Sequence, residues 1–289
     1  MLPGMAGKAR IAIVGAGNLG SALALALRRA GYAIDMIVAH PRRSQVHARM
    51  LARRVGARVT ASLAGSRLDV VWICVPDAEI ARAAETLATQ IEWKGRIALH
   101  SSGALKGDAL SALRARGAKV ASAHPLMTFV VGSRASLAGV PFAIEGDARA
   151  VDVARRVVRD LGGKAYAIRE SEKAAYHAWG TFASPLLTAL LAATEQVAAA
   201  AGIRGKAARG RMAPILRQTI ENYVSLGAAR GFSGPIIRGD VETVKKHLRV
   251  LRQRPIARDV YLALARAALE FLPAKNKTAL RRALRSSGR

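Results

Sequence analysis

The sequence predicts an α/β protein: a doubly wound parallel sheet followed by an all-α C-terminal domain. Three features carry that prediction. An apolar run at residues 11–14 leads into Gly15-x-Gly17-x-x-Gly20 and at once into a helical pattern. Short β-type runs then alternate with helical patterns as far as residue 168, which is how a sheet covered on both faces is written. From about Glu170 the alternation stops and long helical stretches take over, so a domain boundary is expected there, with 1–169 as one domain and 170–289 as the next. A chain of 289 residues is long enough to bury two cores.

In order along the chain, strands are expected at residues 11–14, 33–38, 70–75, 96–100, 119–123, 142–145 and 165–168, with a short one at 58–60. Helices are expected between them at residues 21–30, 42–54, 77–90, 107–116 and 151–161. The second domain reads as helices at 171–201, 206–226, 241–251 and 256–271, parted by glycine-rich breaks such as Gly231-Phe-Ser-Gly-Pro235. Pro185 inside the first of these implies a kink or an interruption, because proline has no N–H for the helical ladder. The basic tail from Lys275 to Arg289 reads as a solvated terminal helix.

The glycines at the first turn carry chemistry. Gly15 permits a tight turn, Gly17 lets backbone approach a pyrophosphate, and Gly20 lets the helix pack on the strand. The helix start then offers unpaired N–H groups and partial positive charge to phosphates, so Gly15, Gly17, Asn18, Leu19 and Gly20 are the expected pyrophosphate contacts of a Rossmann-type turn. An NAD site usually ends its second strand on Asp or Glu to bind the ribose hydroxyls. Here His40, Arg42, Arg43 and Ser44 stand at that position, which suits a 2′-phosphate and points to NADP (NADPH).

Composition narrows the function. Net charge is +27, but the arginines are spread along the chain without a nucleic-acid motif or an aromatic-interleaved basic stripe, so no nucleic-acid partner is expected. The charge still favours anionic cofactors and a small anionic substrate. Cys74 is the only cysteine, which rules out an intramolecular disulfide and favours a cytoplasmic setting. The first ten residues have no signal-peptide character. No uninterrupted apolar stretch reads as long enough to span a bilayer, the Ala-rich segment 183–201 coming closest; no membrane association is expected. No metal-ligand spacing and no G-x-S-x-G elbow is present.

Ligands of an open α/β sheet bind outside the carboxyl ends of its strands. Val75-Pro76-Asp77, His100-Ser101-Ser102-Gly103 and His124-Pro125-Leu126 all fall on that edge. Val75, Pro76 and Ser102 are expected to border a nicotinamide ring, Asp77 to cap the following helix, and His124 to meet substrate. In the second domain Lys173 and His177 lie four apart and share a helical face that continues to Ser184. Lys173 is the candidate general acid, with His177 orienting substrate or sharing the proton. Arg238 offers a carboxylate a bidentate partner. Asp240 either caps the next helix or joins the chemistry.

Taken together, Gly15-x-Gly17-Asn-Leu-Gly20, Val75-Pro76-Asp77, His100-Ser-Ser-Gly103, His124-Pro-Leu-Met-Thr-Phe129, Lys173-x-x-Tyr-His177 and Gly234-Pro-Ile-Ile-Arg-Gly-Asp240 resemble a family of NADP-dependent oxidoreductases with a Rossmann-like domain followed by a domain known as DUF2520. The wider group looks like the β-hydroxyacid dehydrogenase and ketopantoate reductase superfamily. There a helical domain supplies a catalytic Lys with an Asn one turn later. The resemblance places that Lys at Lys173 and puts His177 where the Asn would be. It implies reduction of a small 2-keto acid, ketopantoate first, and a homodimer formed through the helical domain. Imine reduction, 3-hydroxyacid oxidation and a non-catalytic NADP-binding role are the alternatives.

Overall fold

A computed structural model describes residues 8–39, 45–132 and 136–286. Two compact units are present, Met1–Thr181 and Phe182–Arg289. The first therefore runs 12 residues past the boundary expected at 169/170 and includes the helix that carries Lys173 and His177.

The first unit is built on one eight-stranded sheet. Its strands are β1 (Arg10–Val14), β2 (Ala33–Val38), β3 (Arg58–Thr60), β4 (Val70–Ile73), β5 (Ile97–His100), β6 (Lys119–Pro125), β7 (Pro141–Gly146) and β8 (Lys164–Ala167). They lie in the order β3-β2-β1-β4-β5-β6-β7-β8. The order reverses between β1 and β4, the switch point where such sheets open a crevice.

The expectation of a parallel sheet holds from β3 to β6 and fails at β7. That strand runs antiparallel to β6, and β8 is parallel to β7. The cause lies in the connection. The described part of residues 126–140 contains no crossover helix, and without one the chain returns beside β6 in the opposite sense. The register sets Ser122 opposite Glu145 and His124 opposite Ala143.

Alternate residues of each strand serve opposite covers. Ile11 and Ile13 face α1 (Asn18–Arg29), α2 (Gln45–Val55) and α5 (Ala148–Asp160) through Leu23, Leu27, Leu51, Val153 and Val157. Ala12, Val14, Val71 and Ile73 face α3 (Asp77–Leu87) through Ile80, Ala84 and Leu87. The same face takes Leu110 and Leu113, from a 3-10 turn (Gly107–Leu110) and the short α4 (Ser111–Arg114). Trp72 is fully buried in β4 and its indole N–H donates to Ser101 Oγ at 2.8 Å, which removes the cost of a buried unsatisfied donor.

The single helix expected at 171–201 is divided. A 3-10 turn (Glu170–Glu172) precedes α6 (Lys173–Thr181). A π-helical turn (Phe182–Leu186) holding Pro185 then opens the second unit, before α7 (Leu187–Ala200). Proline's missing donor accounts for the interruption.

In the second unit α7 is followed by α8 (Gly205–Gly231), α9 (Pro235–Arg238), α10 (Val241–Leu251), α11 (Pro255–Phe271) and α12 (Lys277–Ser286). Helical backbone in α8 breaks at Gly227 (φ 78°, ψ 168°), one residue after the expected end at 226. Val244, Leu248, Leu262, Leu269, Leu280 and Leu284 form a core between α10, α11 and α12. The basic tail is thus an amphipathic packed helix, with Arg281, Arg282 and Arg285 on its exposed side. By contrast α7 has no buried residue and α8 only Ala208. By length and composition alone the run Glu170–Ala200 is apolar enough to cross a membrane, against the expectation that no stretch is long enough to span a bilayer.

Candidate active site

The glycine turn is dictated by space. Gly15 sits at φ +101°, and a Cβ there would lie 2.7 Å from the Cys74 carbonyl oxygen. A Cβ on Gly20 would lie 2.0 Å from the Gly15 carbonyl oxygen. Gly17 differs: nothing comes within 4 Å of its would-be Cβ. That opening lies where α1 begins, with Gly17 as N-cap, no side-chain cap and no acidic residue in the first turn. Backbone N–H groups and the helix dipole there are free to meet an anion, so the chain fits a dinucleotide's pyrophosphate on its own geometry. Leu19 packs against the core, which leaves its backbone for that contact. The Asn18 side chain does something else, donating to the Phe129 carbonyl at 3.1 Å.

The 2′-phosphate candidates His40, Arg42, Arg43 and Ser44 lie outside the described residues. The first turn beyond them carries His47, whose Nε2 is 3.0 Å from Ser21 Oγ on α1, a tie between the two helices that no sequence pattern singles out.

At the next strand ends Val75 is half-buried and Pro76 exposed. Pro76 rather than Asp77 is the N-cap of α3, correcting the capping role expected of Asp77. The Asp77 carboxylate instead accepts from Ser102 Oγ at 2.7 Å. Ser102 is 4% exposed, and its Oγ also accepts from Leu105 N–H at 2.9 Å and Ala104 N–H at 3.2 Å. With its hydroxyl so occupied, Ser102 shapes the loop after β5 and does not present a side chain to a cofactor. His100 is similarly structural. Its Nε2 lies 2.9 Å from the Lys106 carbonyl and its Nδ1 accepts from Ser102 N–H at 3.1 Å, which fixes the neutral tautomer with the proton on Nε2. Burial pushes the imidazole down to about 4.

Lys173 departs most from expectation. It is 2% exposed. Its ammonium lies 3.1 Å from Glu145 Oε1 and donates to Ser122 Oγ at 2.7 Å and to the Ser102 carbonyl at 3.4 Å. Three partners for three N–H bonds leave no proton aimed at a crevice. Burial drives the amine below its ordinary range against the opposing pull of Glu145. Lys173 thus forms the floor of the site, its ammonium engaged by the protein's own groups. Glu145 also accepts from Gly107 N–H at 2.9 Å, and its Oε2 is buried without a partner among the described residues. The sequence did carry a signal for Glu145, an acid inside an otherwise apolar β-run.

Lys173 and His177 do not share one environment either, since His177 is exposed. The residue of α6 buried beside Lys173 is Tyr176, 8% exposed. Its hydroxyl lies 2.8 Å from His124 Nδ1, the rings edge to face. The rings of His124 and His177 meet edge to face at 6.4 Å between centroids, and Gly103 makes room for both. A Cβ there would lie 2.9 Å from His124 Nε2 and from His177 Cδ2. Burial and the nearby Lys173 push His124 down to about 4, and burial pushes the Tyr176 hydroxyl up.

Candidates in the second unit have local roles. Asp240 caps α10, its carboxylate accepting from Thr243 N–H at 3.0 Å and Thr243 Oγ at 2.7 Å; that engagement corrects its placing among catalytic groups. Ser184 lies in the π turn, its carbonyl accepting from Thr188 Oγ. Arg238 ends α9 with its side chain exposed. No His, Cys, Asp or Glu cluster among the described residues could hold a metal.

The sheet order and the glycine turn define the Rossmann-type class. Within it, the chain carries a Rossmann-like domain followed by a DUF2520 domain. Residues 5–125 match the model of a Rossmann-like domain, and residues 140–268 that of a domain of unknown function (DUF2520). Among solved structures, one described as an NADP oxidoreductase from Bacteroides fragilis is 21% identical with a TM-score of 0.76, covering 90% of this chain and 97% of its own. The protein TM1727 from Thermotoga maritima is 23% identical with a TM-score of 0.68, covering 96% and 100%. An imine reductase from Myxococcus stipitatus, in complex with NADP+, is 19% identical with a TM-score of 0.61, covering 90% and 94%. At these identities the likeness is one of fold. A search of curated protein sequences finds no match.

Proposed function

We propose that the protein is an NADPH-dependent reductase of a small C=O or C=N compound. The observation that carries this reading is the edge of the sheet. The ends of β1, β4, β5 and β6 are consecutive neighbours, with the open Gly17 turn at one end and a half-buried imidazole, His124, at the other. Three strand spacings part them, on the order of 14 Å, enough to lay an extended dinucleotide along the edge with its reactive ring near His124.

The N–H groups of Asn18, Leu19 and Gly20 would hold the pyrophosphate. His40, Arg42, Arg43 and Ser44 would take the 2′-phosphate, and Val75 and Pro76 would border the nicotinamide. Bound there, the cofactor supplies a hydride to an electrophilic carbon. The NADP+ held by the Myxococcus stipitatus imine reductase supports the choice of cofactor.

The first substrate candidate is a 2-keto acid, ketopantoate before others, acting through a C=O group. The net charge of +27 favours an anion, and the exposed Arg238 suits a carboxylate. The runner-up is a cyclic imine, supported by the same imine reductase neighbour. Titration with NADPH and NADH in parallel, followed by keto acids and cyclic imines with the bound cofactor, tests the reading. Turnover of keto acids alone supports the first candidate and turnover of imines alone the second. Bound NADPH with no turnover of either class removes the reductase reading and leaves a cofactor-binding protein.

A homodimer through the helical unit belongs to the same proposal. Ile215, Ile220, Tyr223, Val224 and Leu226 are exposed on α8, apolar side chains that pairing with a second copy would cover.

A further inference from the structure

We infer that His124 is the group that delivers a proton to the substrate, and that Tyr176 is its positioning residue. The inference deepens the reductase reading and rests on it. A hydride added to a C=O carbon leaves charge on oxygen, and a proton must meet it there.

The polar groups at the carboxyl edge of β4, β5 and β6 narrow the choice. Lys173, Ser102 and His100 have their hydrogen-bonding capacity occupied within the protein, as described above. Asp77 accepts from Ser102. His177 is exposed, with a ring contact to His124 and no hydrogen bond to its ring among the described residues, so nothing fixes its tautomer. His124 alone has one ring nitrogen held by an orienting group. Its Nδ1 is 2.8 Å from the Tyr176 hydroxyl. Its Nε2 makes no hydrogen bond among the described residues and is not among the fully buried unpartnered atoms, so solvent reaches it. One nitrogen oriented and the other open is the arrangement that acid–base histidines need.

Lys173 and His177 face this ring as cationic or titratable groups, with Asp77 and His100 further contributors. Burial and the Lys173 charge keep it neutral near pH 7, so it works as a neutral donor. The tautomer this requires has the Tyr176 O–H, whose other hydrogen-bonding neighbour is Tyr166, donating to Nδ1, with the ring proton on Nε2. As hydride from the dihydronicotinamide adds to carbon, the C=O π pair moves to oxygen and the Nε2 proton passes to it. The Tyr176 O–H keeps its proton, which burial holds on the oxygen, and steadies the electron pair left on the ring through its bond to Nδ1; a solvent proton taken up at Nε2 restores the starting state. One hydride and one proton have then been added across the double bond.

The test uses the full chain and two variants, His124→Gln and Tyr176→Phe. Imidazole ¹⁵N NMR of the ligand-free protein reads the tautomer directly. The expected result is an Nε2–H tautomer at His124 that becomes mixed in Tyr176→Phe. With NADPH and the substrate found by the panel, His124→Gln should lower kcat by roughly 10²–10⁴, and Tyr176→Phe by a smaller factor. NADPH affinity, read by fluorescence, should stay within about twofold of the parent in both, which also shows that the variants fold. An Nδ1–H tautomer, or kcat of His124→Gln within about threefold of the parent, overturns the inference. If the parent binds NADPH and turns over neither substrate class, the reductase reading falls and takes this one with it, whatever the tautomer.

Discussion

Lys173 Nζ and Glu145 Oε1 lie 3.1 Å apart with both side chains at most 5% exposed, an ion pair inside the sheet unit that joins α6 to β7. Removing one partner strands a charge in a medium that solvates it poorly, at a cost of about 3–5 kcal/mol. Lys173→Met should show that loss in urea denaturation. Lys173→Met combined with Glu145→Gln should recover most of it. If Lys173 is floor and not acid, the double variant regains turnover along with stability; a stable but inactive double variant would return the acid role to Lys173.

Gly17 and Gly20 separate binding from folding. A methyl at Gly17 meets open space, so Gly17→Ala should keep the parent's melting temperature and weaken NADPH binding by about tenfold or more, through loss of close backbone approach. A methyl at Gly20 meets the Gly15 carbonyl at 2.0 Å, so Gly20→Ala should unfold at lower temperature with or without cofactor. Thermal melts beside a fluorescence titration distinguish the two.

Acid should loosen the first unit over a defined window. His100 holds its neutral form down to about 4, whereas the unfolded chain takes up a proton near 6.5. The unfolded state binds more protons across that interval, so stability is full above the upper value and falls as pH drops through the lower one. For this buried group the loss is on the order of 3 kcal/mol. Urea midpoints at pH 7, 5.5 and 4 should trace the fall, and His100→Asn should remove its own share of it while lowering stability at pH 7, leaving the share that His124 contributes over the same window.

Cofactor choice is expected to reside in Arg42 and Arg43. Replacing both by alanine should weaken NADPH roughly 10- to 100-fold, the worth of one or two charge-assisted hydrogen bonds, and leave NADH nearly unchanged. Equal losses for both cofactors would place the 2′-phosphate contact elsewhere.

Assembly is read from size. The chain should sediment as a dimer, and Tyr223→Arg with Val224→Asp on the exposed face of α8 should give a monomer that still binds NADPH.

Much of the first unit is legible because its physics is local. Apolar β-runs, glycines forced by contact and alternating helical patterns each state themselves within a few residues. The β7 direction did not, since it depends on a link without a crossover helix, an absence that β-periodicity does not record. Four-residue spacing puts Lys173 and His177 on one helix, α6, but says nothing about which side of it is buried. Tyr176, between them, belongs to the Lys173-x-x-Tyr-His177 motif but has no legible role there, because a tyrosine in a helix looks like packing until its hydroxyl is found at an imidazole. Glu145 reaches Lys173 only through the antiparallel register that sets it opposite Ser122, a long-range fact.

The two family models meet in the middle of a sheet, one ending at residue 125 and the other starting at 140, while the strands continue from β6 to β7 without a break. The module that sequence comparison recognises is therefore not a module that could be excised and live alone. A cut in that gap would leave β6 with an unsatisfied edge, an invitation to pair with foreign strands. It would also part Ser122 from the lysine that bonds it. Swapping one half for a relative's should succeed only when the new partner restores the whole ladder, so recombination in this lineage is constrained by a seam of hydrogen bonds rather than by a linker.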